Sequence, residues 1–471
     1  MTLRRLSLAV GLLILSPFVS TGAAPAEIPR SEASDSTVQA QLEASGLERL
    51  EEEELPPARW VPTGTIVEAE LVAIDDQAAG GSTIDRLSPA FTNSHGTAGF
   101  TGGLANDDDF VWFDDGITWL NSDHMPEVLT GGESTMGISD AGGFIYSPAV
   151  DGADSVWTDT GLLLSENTQA PGFPAGTNST FHSRPTMSPG GRAYWVAGFN
   201  ESGGTATEGR MLYTSSDATA GNTLVLLRSD DVIDTFTIAR TSGVGFDYDF
   251  SDDGSHHIHE LKMDTGSQND DDFIYVDGSL VAREGDPTGG GDNWESFDGV
   301  SINNAGDYVF SGGTDGPSAT NEFIAVNGAI ALREGDTIDG VTLSSASVRT
   351  LSIAENGTVA HLWDTAGVGE VLFRACSATS FATSVGLLRI GDGLDLDGNG
   401  TSDGTVTDFN SSAAIGPGID LAADGTVLVE IDLDQGAGDL EAIVRLPMGC
   451  AIFEDGFESG DTSNWSVVVG G

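Results

Sequence analysis

From Ile66 onward the chain is written in apolar runs of about four to eight residues, broken by Gly, Asp and Asn, the pattern of short β-strands joined by tight turns. One punctuation recurs: an apolar residue, then Asn, Ser or Ala, two variable residues, Gly, and a new apolar run. It reads TNSHGTAGF to Phe100, GISDAGGFIY to Tyr146, TMSPGGRAYW to Trp195 and DFSDDGSHHIH to His259. It continues as SINNAGDYVF to Phe310, SIAENGTVAHLW to Trp363 and DLAADGTVLVEI to Ile431. The seven glycines, Gly96, Gly142, Gly191, Gly254, Gly306, Gly357 and Gly425, recur on average every ~55 residues, a propeller-like period. A hairpin turn needs a residue that tolerates positive φ, and a neighbouring Asn, Asp or Ser can bond its own backbone to fix the reversal.

Two further strands follow each turn. One is FVWFDDG, SVWTDTG, RMLYTS, FIYVDG, FIAVNG, EVLFRA or EAIVRL; the next is a Leu/Val run such as LVAREGD, IALREGD or GLLRIGD. The repeat therefore predicts an all-β fold, a seven-bladed β-propeller of four-stranded antiparallel blades over residues 58–447. Before the Gly96 turn stands only the strand Ile66 to Asp75, and the last strand, Glu441 to Leu446, has no blade after it. The expectation is that the C-terminal strand completes the first blade and closes the ring, removing the open edge. Cys376 and Cys450, the only cysteines, follow equivalent strands of adjacent blades, which predicts a disulfide across the closure.

NNAGDYVF (Asn303 to Phe310) and NSHGTAGF (Asn93 to Phe100) resemble the NxxGxxAF tandem repeat of exported bacterial proteins, with Val309 and Gly99 in the Ala position. The paired LVAREGDP and IALREGDT segments share that style. The resemblance spans residues 60–446, but Ser139, Ser188, Ser251, Ala354 and Ala422 replace the Asn elsewhere. It implies the propeller-like fold and export, and carries no activity. Residues 448–471 contain IFEDGFESGDTSNWS, which resembles the FxDGFESGDTSxWS tail of secreted proteobacterial proteins and implies sorting or surface display.

Arg4 and Arg5 followed by the apolar Leu6 to Val19 and small residues up to Ala26 read as a signal peptide over 1–26. Residues 27–57 read as an acidic linker or short helix ending in ERLEEEEL. The mature chain contains no apolar run long enough for a membrane span, so a secreted or cell-surface location is expected. A formal charge of −55 with Lys262 as the only lysine excludes nucleic acid and anionic lipid as partners. Yet only 19% of residues are charged and 39% are hydrophobic, enough apolar content to build a core.

Among candidate sites, DLDGNGTSDG places oxygens of Asp395, Asp397, Asn399 and Asp403 at calcium-loop spacing, with Gly400 at the sharp turn. The position of the bidentate Glu is Val406, so Ca²⁺ and a metal-free Asp/Gly hairpin both remain open. His257 and His259 share one strand face and His256 points to the other, too few ligands for a defined metal site. Arg283, Arg333 and Arg389 recur at one blade position, which favours structural Arg–Asp turn pairs over a channel-facing role. No P-loop or HExxH motif occurs, and no residues are assigned to catalysis. NDDDF occurs twice, at Asn106 to Phe110 and Asn269 to Phe273, and reads as a solvated connector between blades.

These features together predict an exported, non-enzymatic β-propeller that binds an extracellular glycan or protein as a monomer. A calcium-dependent extracellular polysaccharide hydrolase or lyase is the first alternative. A structural cell-envelope protein is the second.

Overall fold

All seven signature glycines adopt the left-handed backbone, with φ between +67° and +86°. In each turn the glycine N–H donates to the carbonyl three residues earlier, from Gly96 to Asn93 at 3.1 Å through to Gly425 to Ala422 at 2.7 Å. The turn thus has a glycine at the one point where a Cβ would be strained, and the outgoing strand starts directly after it.

In this computed structural model the described residues are 64–131, 135–344, 348, 350–409, 418–436 and 438–447. The signal-peptide stretch, the acidic segment, Cys450 and the C-terminal tail lie outside them. The described chain is a β-propeller-like array of antiparallel sheets. Four sheets are plain four-stranded meanders, beginning with the strands Asn178–Met187, Val244–Phe250, Trp294–Ile302 and Thr350–Ile353. Two more, around Ala98–Leu104 and Ala153–Thr158, add short strands to reach six.

Seven identical blades are what the repeat predicts; the structure has six blades, and their strand number varies. The six are built from strands consecutive in sequence, whereas the remaining sheet is seven-stranded and mixes both ends of the described chain. There Glu70–Ile74 pairs antiparallel with Asp439–Leu446, and Ile66–Glu68 pairs parallel with Gly393–Asp395. The expected partners do meet, but the direction of closure is reversed. The strand after Gly96 pairs with Asp109–Phe113 in its own sheet, so the N-terminal strand is added to the last sheet instead of the C-terminal strand to the first. Arg445 fixes this edge: one guanidinium nitrogen lies 2.6 Å from Glu70 and another donates to the Gly96 carbonyl at 3.0 Å.

The core lies between neighbouring sheets. Trp195, Trp363, Tyr146, Tyr213 and Phe310 are fully buried there, and Phe100 stacks on Trp112 with centroids 5.3 Å apart. The first strands approach so closely that a Cβ on Gly137 would fall 1.9 Å from the backbone nitrogen of Met187. That approach places the seven first strands around one shared space.

Candidate functional site

That space is a cavity of about 570 Å³. All seven sheets of four or more strands contribute to its wall: Phe91 and Thr92, Thr135, Arg184 to Ser188, Phe246 to Phe250, Phe297 to Ser301, Thr350 to Ser352, and Ile419 to Leu421. The wall is aromatic and acidic together. Phe246, Tyr248, Phe250 and Phe297 line it beside the carboxyls of Asp247, Asp249, Asp252, Glu260, Asp298 and Asp420. Arg184 is the one basic residue of the lining.

Two of these carboxylates hold the ring together. Asp249 Oδ2 accepts from the Ser301 hydroxyl at 2.8 Å and the Ile302 N–H at 2.9 Å, both on the next first strand. Asp420 Oδ2 accepts from the Thr92 N–H at 2.8 Å, which clasps the last sheet to the first. Ser301 Oγ in turn accepts from Ile353 N–H at 3.1 Å. In each case a side chain two residues before the signature position takes the N–H of the residue just before that position in the following repeat. Burial pushes the Asp249 carboxyl up to about 6 and the Asp420 carboxyl up to about 7.

A second group forms a proton-sharing set. Burial, and then the charges of Asp272 and Asp247, hold the Glu260 carboxyl well above the usual range. Asp272 behind it is only 6% exposed; its Oδ2 takes the Lys262 ammonium at 3.0 Å, and its Oδ1 lacks a partner while Glu260 is ionised. A proton on Glu260 can be shared with Asp272 on one side and Asp247 on the other. Asp247 meets the Arg184 guanidinium at 3.4 Å.

The remaining two carboxylates, Asp252 and Asp298, accept no hydrogen bond or ion pair from the described residues. Burial, with Glu355 and Asp420 nearby, pushes Asp252 up to about 7, and burial also raises Asp298. Asp298 is accessible to solvent through the cavity, whose walls surround it and account for the upward shift. Above the turn end, Glu355 gathers the N–H groups of Asn304 at 2.7 Å and Asp252 at 3.2 Å.

The residues singled out in the sequence lie elsewhere. Carboxylate oxygens of Asp395, Asp397 and Asp403 come within 4.8 Å of one another. Asp395 accepts the N–H groups of Gly400 at 2.7 Å and Asn399 at 3.1 Å, and these bonds hold its carboxyl below the usual range against the effect of burial. The Asn399 side chain instead caps Thr401, and Asp403 accepts from Leu396 N–H at 2.7 Å. Cys376 directly follows the strand Gly369–Ala375, and its expected partner Cys450 lies outside the described residues.

His257 and His259 do share a face, with Nδ1 and Nε2 2.9 Å apart, while His256 turns away to Asp277 at 2.6 Å. Arg283, Arg333 and Arg389 pair with Asp270, Asp292 and Asp339 at 2.6, 2.7 and 3.1 Å, away from the cavity wall. The NDDDF reading needs correction. Both copies join two neighbouring strands of one sheet and do not lead between blades. Asp272 is buried because Lys262 stands directly across from it in the sheet.

The cavity carboxylates escaped sequence analysis because the chain has 73 acidic residues. One signal was available: Asp249 and Asp420 occupy the same column of the repeat, in DFS and DLA.

No protein-family model matches the chain, and no curated protein sequence does either. Among solved structures it is similar to a putative TolB from Agrobacterium tumefaciens, at 14% identity and a TM-score of 0.32, covering 60% of this chain and 90% of that one. A gluconolactonase from Xanthomonas campestris aligns at 11% identity and a TM-score of 0.30, covering 82% and 99%. The WD40 β-propeller domain of Doa1 aligns at 9% identity and a TM-score of 0.33, covering 80% and 96%.

Proposed function

We propose that the protein is an exported, non-enzymatic β-propeller that binds a positively charged extracellular ligand in its central cavity. The observation that carries this reading is the composition of the wall: six carboxyl groups interleaved with aromatic faces, against one arginine that is already paired. Low-dielectric walls lined by one sign of charge concentrate counter-ions. Aromatic faces add attraction for cations; Phe246 already carries the Arg210 guanidinium 4.7 Å from its ring centre.

The seven-stranded sheet serves as a seventh blade that locks the ring, aided by a Cys376–Cys450 disulfide. Peptide mapping without reductant tests that bond directly. The Asp395 loop takes Ca²⁺ beside the closing strand. The N-terminal stretch directs export, and the tail serves surface display.

Calorimetric titration with cationic and glycan ligands, with and without EDTA, tests the reading. Saturable binding that weakens when cavity carboxylates are replaced supports it; catalytic turnover of any panel member refutes the non-enzymatic part. One observation favours the hydrolase alternative: burial raises the Glu260 carboxyl at a cavity wall, the direction a general acid needs. In that case turnover of a polysaccharide would vanish in Glu260→Gln.

A further inference from the structure

The cavity wall separates into carboxyls the protein already uses and carboxyls it leaves open. Asp249 and Asp420 are occupied as clasps, Asp247 faces Arg184, and Glu260 is tied to Asp272. Asp252 and Asp298 are left. Asp298 lies near the depth of Asp247, since Asp249 bonds Ser301 and Ile302 on the neighbouring first strand, whereas Asp252 sits in the turn, where Glu355 accepts its N–H. From Asp247 the strand runs to Phe250 and the turn begins at Ser251, so the two levels are roughly 10–16 Å apart along the channel. Between them lie the lining residues Tyr248 and Phe250. Two separated anions joined by an aromatic wall fit a long, thin ligand with cationic groups at both ends and an apolar body between.

We propose that the cavity takes a linear polyamine, threaded along the channel with ammonium groups on Asp298 and Asp252 and methylene segments against the aromatic belt. The inference rests on the cationic-ligand reading above and names its ligand class. A tetra-amine such as spermine reaches both carboxylates when extended, while a diamine such as putrescine reaches one at a time. Divalent metal ions fit poorly, because the open carboxylates are too far apart to share one ion.

The test is isothermal titration of the full mature protein at about 0.15 M ionic strength, where surface fields are screened beyond ~8 Å. Ligands are spermine, putrescine, tetramethylammonium and Ca²⁺. Proteins are the unmodified chain, Asp252→Asn, Asp298→Asn, the double variant, and a surface control carrying Asp107→Asn and Asp286→Asn. Circular dichroism and melting establish that each variant folds. Spermine is expected to bind at one per chain, about tenfold more weakly in each cavity variant and on the order of a hundredfold more weakly in the double, with the control within twofold. Binding that weakens as much in the surface control as in the double variant overturns the proposal. Putrescine or tetramethylammonium binding as tightly as spermine, with the same dependence on Asp298, overturns the polyamine assignment and leaves the cationic-ligand reading standing. No cation sensitive to the cavity substitutions overturns both.

Discussion

The side-chain amide of Asn303 donates to the carbonyl of Ala354, 3.3 Å away, at the same position in the following repeat. Asn93 makes the same bond to Ser139, also at 3.3 Å. The other end of each amide accepts within its own turn: Asn303 from Ala305 at 3.1 Å and Asp307 at 3.0 Å, and Asn93 from His95 and Thr97 at 3.1 and 3.0 Å. One side chain thus shapes its turn and ties it to the next. Ser139 and Ser251 keep only the first role, accepting from Gly143 at 2.9 Å and His256 at 3.0 Å. Asn303→Ser should therefore retain the turn and lose the bridge, costing about 1 kcal/mol in urea unfolding. Asn303→Ala, which leaves the turn N–H groups unmatched in a buried site, should cost about 2 kcal/mol more than that.

The turn signature and the strand succession were legible because both follow from local chemistry: a glycine at positive φ and apolar runs of strand length. What the sequence could not disclose depends on partners far along the chain. Ile66 to Asp75 reads as a strand, but the sheet that receives it is decided by pairing with Asp439–Leu446 and Gly393–Asp395, more than 300 residues further on. Asp272 reads as one of three surface acids until Lys262 is placed opposite. The six cavity carboxylates come from three sheets, four of them from the one that begins with Val244–Phe250, and nothing in one repeat announces that the ring will gather them. The Asp395 cluster, by contrast, was found from spacing alone, since its oxygens converge within one loop.

Arg333 grips Asp292 with two nitrogens, at 2.7 and 3.0 Å, and Thr314 adds a bond of 2.9 Å. Those bonds from Arg333, ahead of the threonines, hold the Asp292 carboxyl well below the usual carboxylate range. Its folded value lies below its unfolded one, so this contribution is complete above about pH 4 and is lost as pH falls towards the folded value. Asp292→Asn should lower stability at pH 7 by about 1–2 kcal/mol, because the pair is partly screened. The deficit should shrink below pH 4, measured by denaturant titration at a series of pH values.

The channel acids carry the opposite sign. Asp249 at about 6, and Asp252 and Asp420 at about 7, lie above their unfolded values, so the folded protein holds extra protons between about pH 4 and 7. Their contribution favours folding at the acidic end of that window and is lost as pH rises through the folded values. The melting temperature of the unliganded protein should therefore fall between pH 5 and 8. In Asp252→Asn, which keeps the shape and removes one of these protons, the decline should be visibly shallower. An unchanged slope would mean that these carboxyls titrate as ordinary surface groups.

The Asp395 loop offers a separate handle on the ring closure. The carbonyl of Asp395 accepts the Ala69 N–H at 3.1 Å, and Gly393 donates to the Thr65 carbonyl at 2.9 Å, so the loop is joined by main-chain bonds to the strand that seals the last sheet. A cation held by Asp395, Asp397 and Asp403 would relieve the repulsion of three gathered carboxylates and stiffen that seam. Binding to the folded form alone stabilises by mass action, about 2.7 kcal/mol when the ion is at a hundred times its dissociation constant. Millimolar Ca²⁺ should raise the melting temperature, and Asp395→Asn or Asp397→Asn should abolish the rise. Hydrogen exchange localises the effect: with Ca²⁺ present, the amides of Ile66–Glu68 and Gly393–Asp395 should be the ones that slow. Unchanged melting and exchange would identify the loop as a metal-free hairpin whose acids are held by Asn399, Gly400 and Leu396 N–H groups alone.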